Sequence, residues 1–116
     1  MKVEKNILNI EVIEAISKCH LLSFSFYRNL PYGNKYLPNI SLVLVNLNNW
    51  IDGDLSEIRL VFEGIIDLKV GKIDSLLIPQ IEIQDIRSHQ IEEVKFKISE
   101  VENSMFTFLC SDFYVT

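Results

Sequence analysis

Apolar residues recur at helical spacing in one stretch of the chain, Asn6–Lys18. Ile10, Ile13 and Ile16 fall on one face of a helix, and the charged residues of this stretch fall on the other. Asn9 can serve as the N-cap. The pattern predicts one N-terminal amphipathic helix. The high content of β-branched residues leaves an extended first half as an alternative.

From residue 20 onward the apolar period changes from about 3.6 to 2, which is typical of strands with one buried face. The alternation predicts about seven strands, separated by segments that carry turn residues. Their core-facing residues are Leu22, Phe24 and Phe26; Ile40, Leu42 and Leu44; Ile58, Leu60 and Phe62; Ile66, Leu68 and Val70; Ile81 and Ile83; Val94, Phe96 and Ile98; and Phe106, Phe108 and Cys110.

Several positions refine these strands. The stretch Ile40–Leu47 is apolar on both faces and suits a central strand that is covered on both sides. Gly64 indicates a bulge or a tight connection between two strands. Ile86 is out of phase with the strand before it, which predicts a bulge near Asp85. Glu102 and Asn103 supply the turn of the last hairpin.

These elements predict a mainly β fold, formally α+β because of the N-terminal helix. About seven antiparallel strands are expected to form a sandwich, an open barrel or a strongly curved sheet, and the pattern does not choose among these. With 116 residues and no linker or repeat, residues 1–116 are expected to form a single domain.

The composition of the chain argues against several classes of function. The net charge of −5 and the scattered Lys and Arg residues argue against direct binding of nucleic acid. No apolar run approaches the length of a membrane span, and Glu11 and Glu14 interrupt any signal-like segment, so we expect a cytoplasmic protein without membrane association. Cys19 and Cys110 lie in no ligand-like spacing, and two buried thiols are the favoured interpretation.

The chain has no recognisable catalytic apparatus. Its two histidines, His20 and His89, stand in no metal-binding spacing, and the Cys19–His20 neighbours would point to opposite faces of a strand. The four glycines form no phosphate-binding loop. We therefore expect a non-enzymatic protein with no catalytic residues, no cofactor and no metal.

Aromatic residues outside the strand pattern are the better candidates for contact with a partner. Trp50 lies in a loop beside Asp52 and Asp54, and Tyr36 lies in another loop rich in polar residues. Trp and Tyr often anchor protein interfaces, and acidic neighbours suit a basic protein partner. The alternative interpretation is that Trp50 covers an open end of the sheet. We expect these four residues to form the partner-binding site.

The C-terminal half carries a set of segments that is similar to a known group of proteins. These segments are Gln80–Ile86, Gln90–Glu92, Val94–Ile98 and Phe106–Phe113, together with the earlier Cys19–Phe24 and Leu60–Ile65. They resemble small bacterial immunity proteins of polymorphic-toxin systems, of the group called immunity protein 50, and related uncharacterised bacterial proteins. An aspartate often follows the early histidine in that group, whereas Leu21 follows His20 here.

The resemblance implies a cytoplasmic protein that binds a cognate toxin domain and neutralises it stoichiometrically. A basic toxin domain is the partner that suits the acidic charge. A second hypothesis is a structural or homo-oligomerising module, such as a homodimer that buries a strand edge or the apolar stretch Leu76–Ile78. The third is an enzyme or a small-ligand carrier with a cavity inside the curved sheet.

Overall fold

The computed structural model describes residue 6 and residues 10–27, 38–46, 57–74, 77–89 and 94–116. Within these residues the chain forms one α-helix, one 3₁₀ turn and eight strands. The helix α1 is Ile10–Ile16, and the 3₁₀ turn is Arg87–His89. The strands are β1 His20–Tyr27, β2 Asn39–Val45, β3 Glu57–Glu63, β4 Ile66–Val70, β5 Ile81–Asp85, β6 Phe96–Glu100, β7 Phe106–Cys110 and β8 Asp112–Val115.

The strands form two antiparallel sheets of four strands each. The first, sheet A, has the order β1-β2-β3-β8, and the second, sheet B, has the order β4-β7-β6-β5. The predicted mainly β, antiparallel fold is therefore confirmed, and the two facing sheets fit the sandwich among the predicted alternatives. The additional strand is β8, which follows β7 after a single residue, Ser111, and pairs with β3 in the other sheet.

Two corners carry the chain from one sheet to the other. At the first, Gly64 and Ile65 connect β3 to β4, and at the second, Ser111 connects β7 to β8. The corners lie against each other, because the Ser111 backbone N–H donates to the carbonyl oxygen of Glu63 at 2.9 Å and its hydroxyl donates to the same oxygen at 3.0 Å. Gly64 is the tight connection that the sequence indicates, with a φ of 70°.

The core lies between the two sheets and contains three aromatic pairs, each of which joins one sheet to the other. Phe62 of β3 meets Phe108 of β7 with ring centroids 5.2 Å apart and planes inclined at 72°. The other two pairs are Phe113–Phe96 at 5.1 Å and Phe24–Phe106 at 5.5 Å. Edge-to-face and tilted packing of this kind is the arrangement that aromatic rings prefer.

A bulge in β1 changes which side chains face the core. The register with β2 shifts between Leu21 and Ser23, so Leu22 is an extra residue in the strand. Leu21 is consequently buried, whereas Leu22 is 59% exposed. Phe26 is also 51% exposed, because β1 is an edge strand and has a neighbour on one side only. The prediction that Leu22 and Phe26 face the core is wrong, whereas Phe24 does pack against it.

Some other details of the sequence interpretation agree with the structure and others do not. The helix is shorter than the predicted Asn6–Lys18, and the proposed N-cap Asn9 lies outside the described residues. Strand β2 is interior and buried on both faces, as predicted. No bulge occurs near Asp85; β5 ends there, and Ile86 is buried where the 3₁₀ turn begins.

The two cysteines are free and buried, as the interpretation of two buried thiols predicts. Burial, aided by the nearby negative charge of Asp112, raises the pKa of Cys110 to about 12. Burial also raises the pKa of Cys19, whose thiol donates to the carbonyl oxygen of Ala15 at 3.1 Å. Both residues therefore remain protonated and act as small apolar groups in the core.

The first corner predicts a strong effect of the substitution Gly64→Ala. A Cβ atom at this position would lie 2.4 Å from the Ser111 hydroxyl oxygen, and the positive φ would strain any other residue. We expect the free energy of unfolding, measured by urea denaturation, to fall by about 1–3 kcal/mol. The double variant G64A/S111A separates the contact from the backbone strain, and a loss below about 0.5 kcal/mol in G64A would contradict this account of the corner.

Candidate functional site

The four residues predicted to bind a partner belong to two stretches of the sequence. Tyr36 lies in the stretch 28–37, and Trp50, Asp52 and Asp54 lie in the stretch 47–56, which are outside the described residues. Their contributions to binding are therefore tested stretch by stretch.

The described residues do form one candidate site, a cleft of about 600 Å³ between α1 and β5. Ile13, Ile16 and Ser17 supply the wall on the helix side, and the whole face of β5 supplies the opposite wall. Leu60, Phe96 and Phe113 lie at the base. The cleft thus opens at the side of the sandwich where two edge strands, β8 of sheet A and β5 of sheet B, lie opposite each other.

Asn6 closes the sheet A side of this opening. Its backbone N–H donates to the carbonyl oxygen of Phe113 at 2.7 Å, and its side-chain oxygen accepts from the Phe113 N–H at 2.9 Å. Its side-chain amide also donates to Asp112 Oδ1 at 3.1 Å. The first two of these hydrogen bonds use the outward backbone groups of Phe113, so the edge of β8 is already satisfied at this residue.

The edge of β5 has a different backbone environment. The Ile86 N–H donates to the Lys95 carbonyl at 2.8 Å, and the Val101 N–H donates to the Gln80 carbonyl at 2.9 Å. These two bonds set the ladder phase, because hydrogen-bonded pairs alternate with non-hydrogen-bonded pairs in an antiparallel sheet. The backbone N–H and C=O groups of the even-numbered residues of β5 therefore face β6. The N–H and C=O groups of Ile81, Ile83 and Asp85 point away from β6, toward the edge of β5 that no other strand covers within the described residues.

A salt bridge marks one end of the cleft. Arg87 Nε lies 3.0 Å from both carboxylate oxygens of Asp85, and the Arg87 backbone N–H donates to Asp85 Oδ1 at 3.0 Å. These side-chain and backbone hydrogen bonds lower the pKa of Asp85. The guanidinium carbon also lies 5.8 Å from the centre of the Phe96 ring. The arrangement leaves Glu82 as the carboxylate of the cleft wall with no arginine beside it in the described contacts.

Glu100 is a buried carboxylate that supports the start of β5. It is 3% exposed, and its two oxygens accept hydrogen bonds from four backbone N–H groups, at 2.7–3.3 Å. The donors are Gln80, Glu102, Asn103 and Met105. Burial raises the pKa of Glu100, but the four donors together outweigh it and leave the pKa below the ordinary 4.5. Glu100 therefore joins the β6–β7 turn to the residue before β5.

Sequence interpretation missed both Glu100 and the cleft. A signal for Glu100 was present, since it continues the core-facing phase of Phe96 and Ile98 and precedes a predicted turn. No such signal exists for the cleft, because its walls are far apart in the sequence. In the described residues no three His, Cys, Asp or Glu side chains come together as metal ligands, and no helix has the length and apolar character that crossing a membrane requires.

The position of Glu100 predicts that Glu100→Gln is destabilising. A glutamine has one acceptor oxygen and no charge, so donors in the turn lose their partner while they remain shielded from water. We expect the free energy of unfolding at pH 7 to fall by roughly 2–4 kcal/mol. Glu102→Gln, in the same turn but with an exposed side chain, is the matched control and should change little.

The variant E100Q also shows how the free energy of unfolding depends on pH. A carboxyl whose folded pKa is lowered stabilises the fold above its ordinary pKa, and this contribution is lost as the pH falls through the folded value. The difference in unfolding free energy between the parent chain and E100Q should therefore be constant near neutral pH and shrink below pH 4.5. A difference that stays constant down to pH 3 would contradict the role given to the charge.

Comparison with known proteins assigns the family. No curated protein and no solved structure matches the chain. A family model, Immunity protein PIM8, matches residues 4–116. The match confirms the similarity to immunity proteins, supports an immunity function in general and a protein partner of the toxin class, and suggests a non-enzymatic role. The chain belongs to the family of immunity protein PIM8.

Proposed function

We propose that this protein binds one cognate toxin domain and neutralises it by stoichiometric occlusion, without chemistry of its own. The observation that carries the proposal is the family match, which extends over nearly the whole chain, residues 4–116. An immunity protein has to recognise its toxin tightly and quickly, which complementary charge favours. The net charge of −5 suits a toxin with a basic surface.

The loop residues Trp50, Asp52, Asp54 and Tyr36 remain the proposed side-chain contacts. A tryptophan that enters a pocket of the partner supplies most of the binding energy of such a patch, and acidic neighbours mainly raise the association rate. Tyr36 lies in another stretch of the sequence than the other three residues, so its contribution is measured by itself. The proposal is accordingly that Trp50 with Asp52 and Asp54 forms the main contact.

The test is protection of bacteria that express the toxin domain recovered with the tagged chain in a pull-down from its host. Co-expression of the parent chain should restore growth, and the purified pair should form a one-to-one complex by calorimetry. Trp50→Ala should weaken binding by about 10- to 100-fold, and the double variant D52N/D54N should chiefly slow association. Tyr36→Ala is measured separately. Full affinity in all these variants would contradict the loop assignment, and growth arrest with the parent chain would contradict the function.

A second candidate function is a homodimeric module, and one observation favours it. The edge strand β1 exposes Leu22 and Phe26, and an exposed apolar edge is a surface through which two copies can pair. Light scattering of the chain alone at about 10–200 µM distinguishes the two candidates. A mass that doubles with concentration and returns to the monomer value in F26K would support the dimer, and a constant monomer mass would exclude it.

A further inference from the structure

We propose that the cleft between α1 and β5 receives an extended segment of the toxin, which adds to sheet B as a fifth strand beside β5. The inference rests on the proposed function, since it names how the toxin is held. Its basis is the outer edge of β5, which has no neighbouring strand in the part of the chain that the structure describes and where the N–H and C=O groups of Ile81, Ile83 and Asp85 point away from β6.

The spacing of these groups selects an extended backbone. Alternate residues of a strand are about 7 Å apart, so the edge offers donor and acceptor pairs at that repeat over a length of about 17 Å. A second strand has the same repeat, whereas a helix satisfies its own backbone and cannot pair along such an edge. Strand addition therefore uses every outward backbone group of β5, and the main chain of the partner contributes affinity that is independent of its side chains.

The side chains around the cleft define what the added strand carries. One face of that strand would meet the apolar wall and base, to which Ile13 contributes a side chain that is 48% exposed. The rim carries Glu82 and Asp85, and Asp85 is already paired with Arg87. A segment with alternating apolar residues and a basic residue opposite Glu82 fits this chemistry.

The opposite edge of the opening does not compete for the strand. The outward groups of Phe113 on β8 are bonded to Asn6, so an incoming backbone finds no partner at that residue. Asn6 also borders the cleft and limits its width on the side of sheet A. The geometry thus directs an added strand to β5.

Amide hydrogen exchange, followed by NMR, tests the edge in the chain alone. The Ile81, Ile83 and Asp85 amides should exchange rapidly, while those of Glu82 and Gln84, which face β6, should exchange slowly. The even-numbered amides are an internal control in the same strand. Slow exchange at Ile81 and Ile83 in the monomer would overturn the proposal, because the edge would then already be occupied. Protection that appears only at high concentration would assign the edge to a second copy and overturn it as well.

The second measurement adds the toxin domain used in the growth-protection test, in a complex shown to be one-to-one. Exchange at Ile81 and Ile83 should slow by about 10-fold or more, with Glu82 and Gln84 unchanged. Binding without this protection would overturn strand addition and leave the proposed function intact. Absence of binding would contradict the proposed function itself, so the two failures are distinguishable.

Two charge-reversal variants test the contact that is proposed for the Glu82 side chain. Glu82→Lys should weaken binding of the toxin domain by roughly 5- to 10-fold. Glu102→Lys introduces the same change at an exposed position outside the cleft lining and should retain the parent affinity. Unfolding midpoints for both variants establish that they are folded. Equal affinities for the two variants would remove Glu82 from the contact.

Discussion

The contact between the two corners, at Gly64 and Ser111, is the constraint on which the architecture depends. Each corner takes a strand out of one sheet and continues it in the other, so that β3 and β8 pair in sheet A while β4 and β7 pair in sheet B. The hydrogen bond from the Ser111 N–H to the Glu63 carbonyl oxygen joins the two corners, at the point where the strands pass from one sheet to the other. Strands that switch sheets through bends are a common way to build such packed sheets. Phe62 and Phe113 each lie two residues from a corner, so this contact helps to hold the aromatic core in place.

The cleft lies close to the same corners, since Phe113, two residues from Ser111, belongs to its lining. It opens at the side where the edge strands β8 and β5 lie. Here Ile16 fills part of that side from α1, and Asn6 satisfies the edge of β8. Glu100 meanwhile holds the segment before β5 through the bond from the Gln80 N–H. A buried carboxylate with several donors gives a rigid anchor, so the free edge of β5 is presented in a fixed position.

The sequence predicted most strands because their alternation is local, but not their exact facing. In β1 the neighbours Leu21 and Leu22 are both apolar, so the period cannot show which is the extra residue of a bulge. Strand β8 was missed because it is only four residues long and follows β7 after the single residue Ser111. The cleft depends on the distance between α1 and β5, which no local pattern encodes. The predicted contact residues Trp50, Asp52, Asp54 and Tyr36 lie outside the described residues.

The pairing of β3 with β8 also governs when the molecule can fold. Arg59 exchanges two backbone hydrogen bonds with Thr116, so sheet A lacks its fourth strand until that part of the chain has left the ribosome. Folds dominated by such distant pairings form slowly, and translation itself adds several seconds at about 5–20 residues per second. The last strand of sheet A is therefore added late, and the edge of β3 that it covers stays open until then.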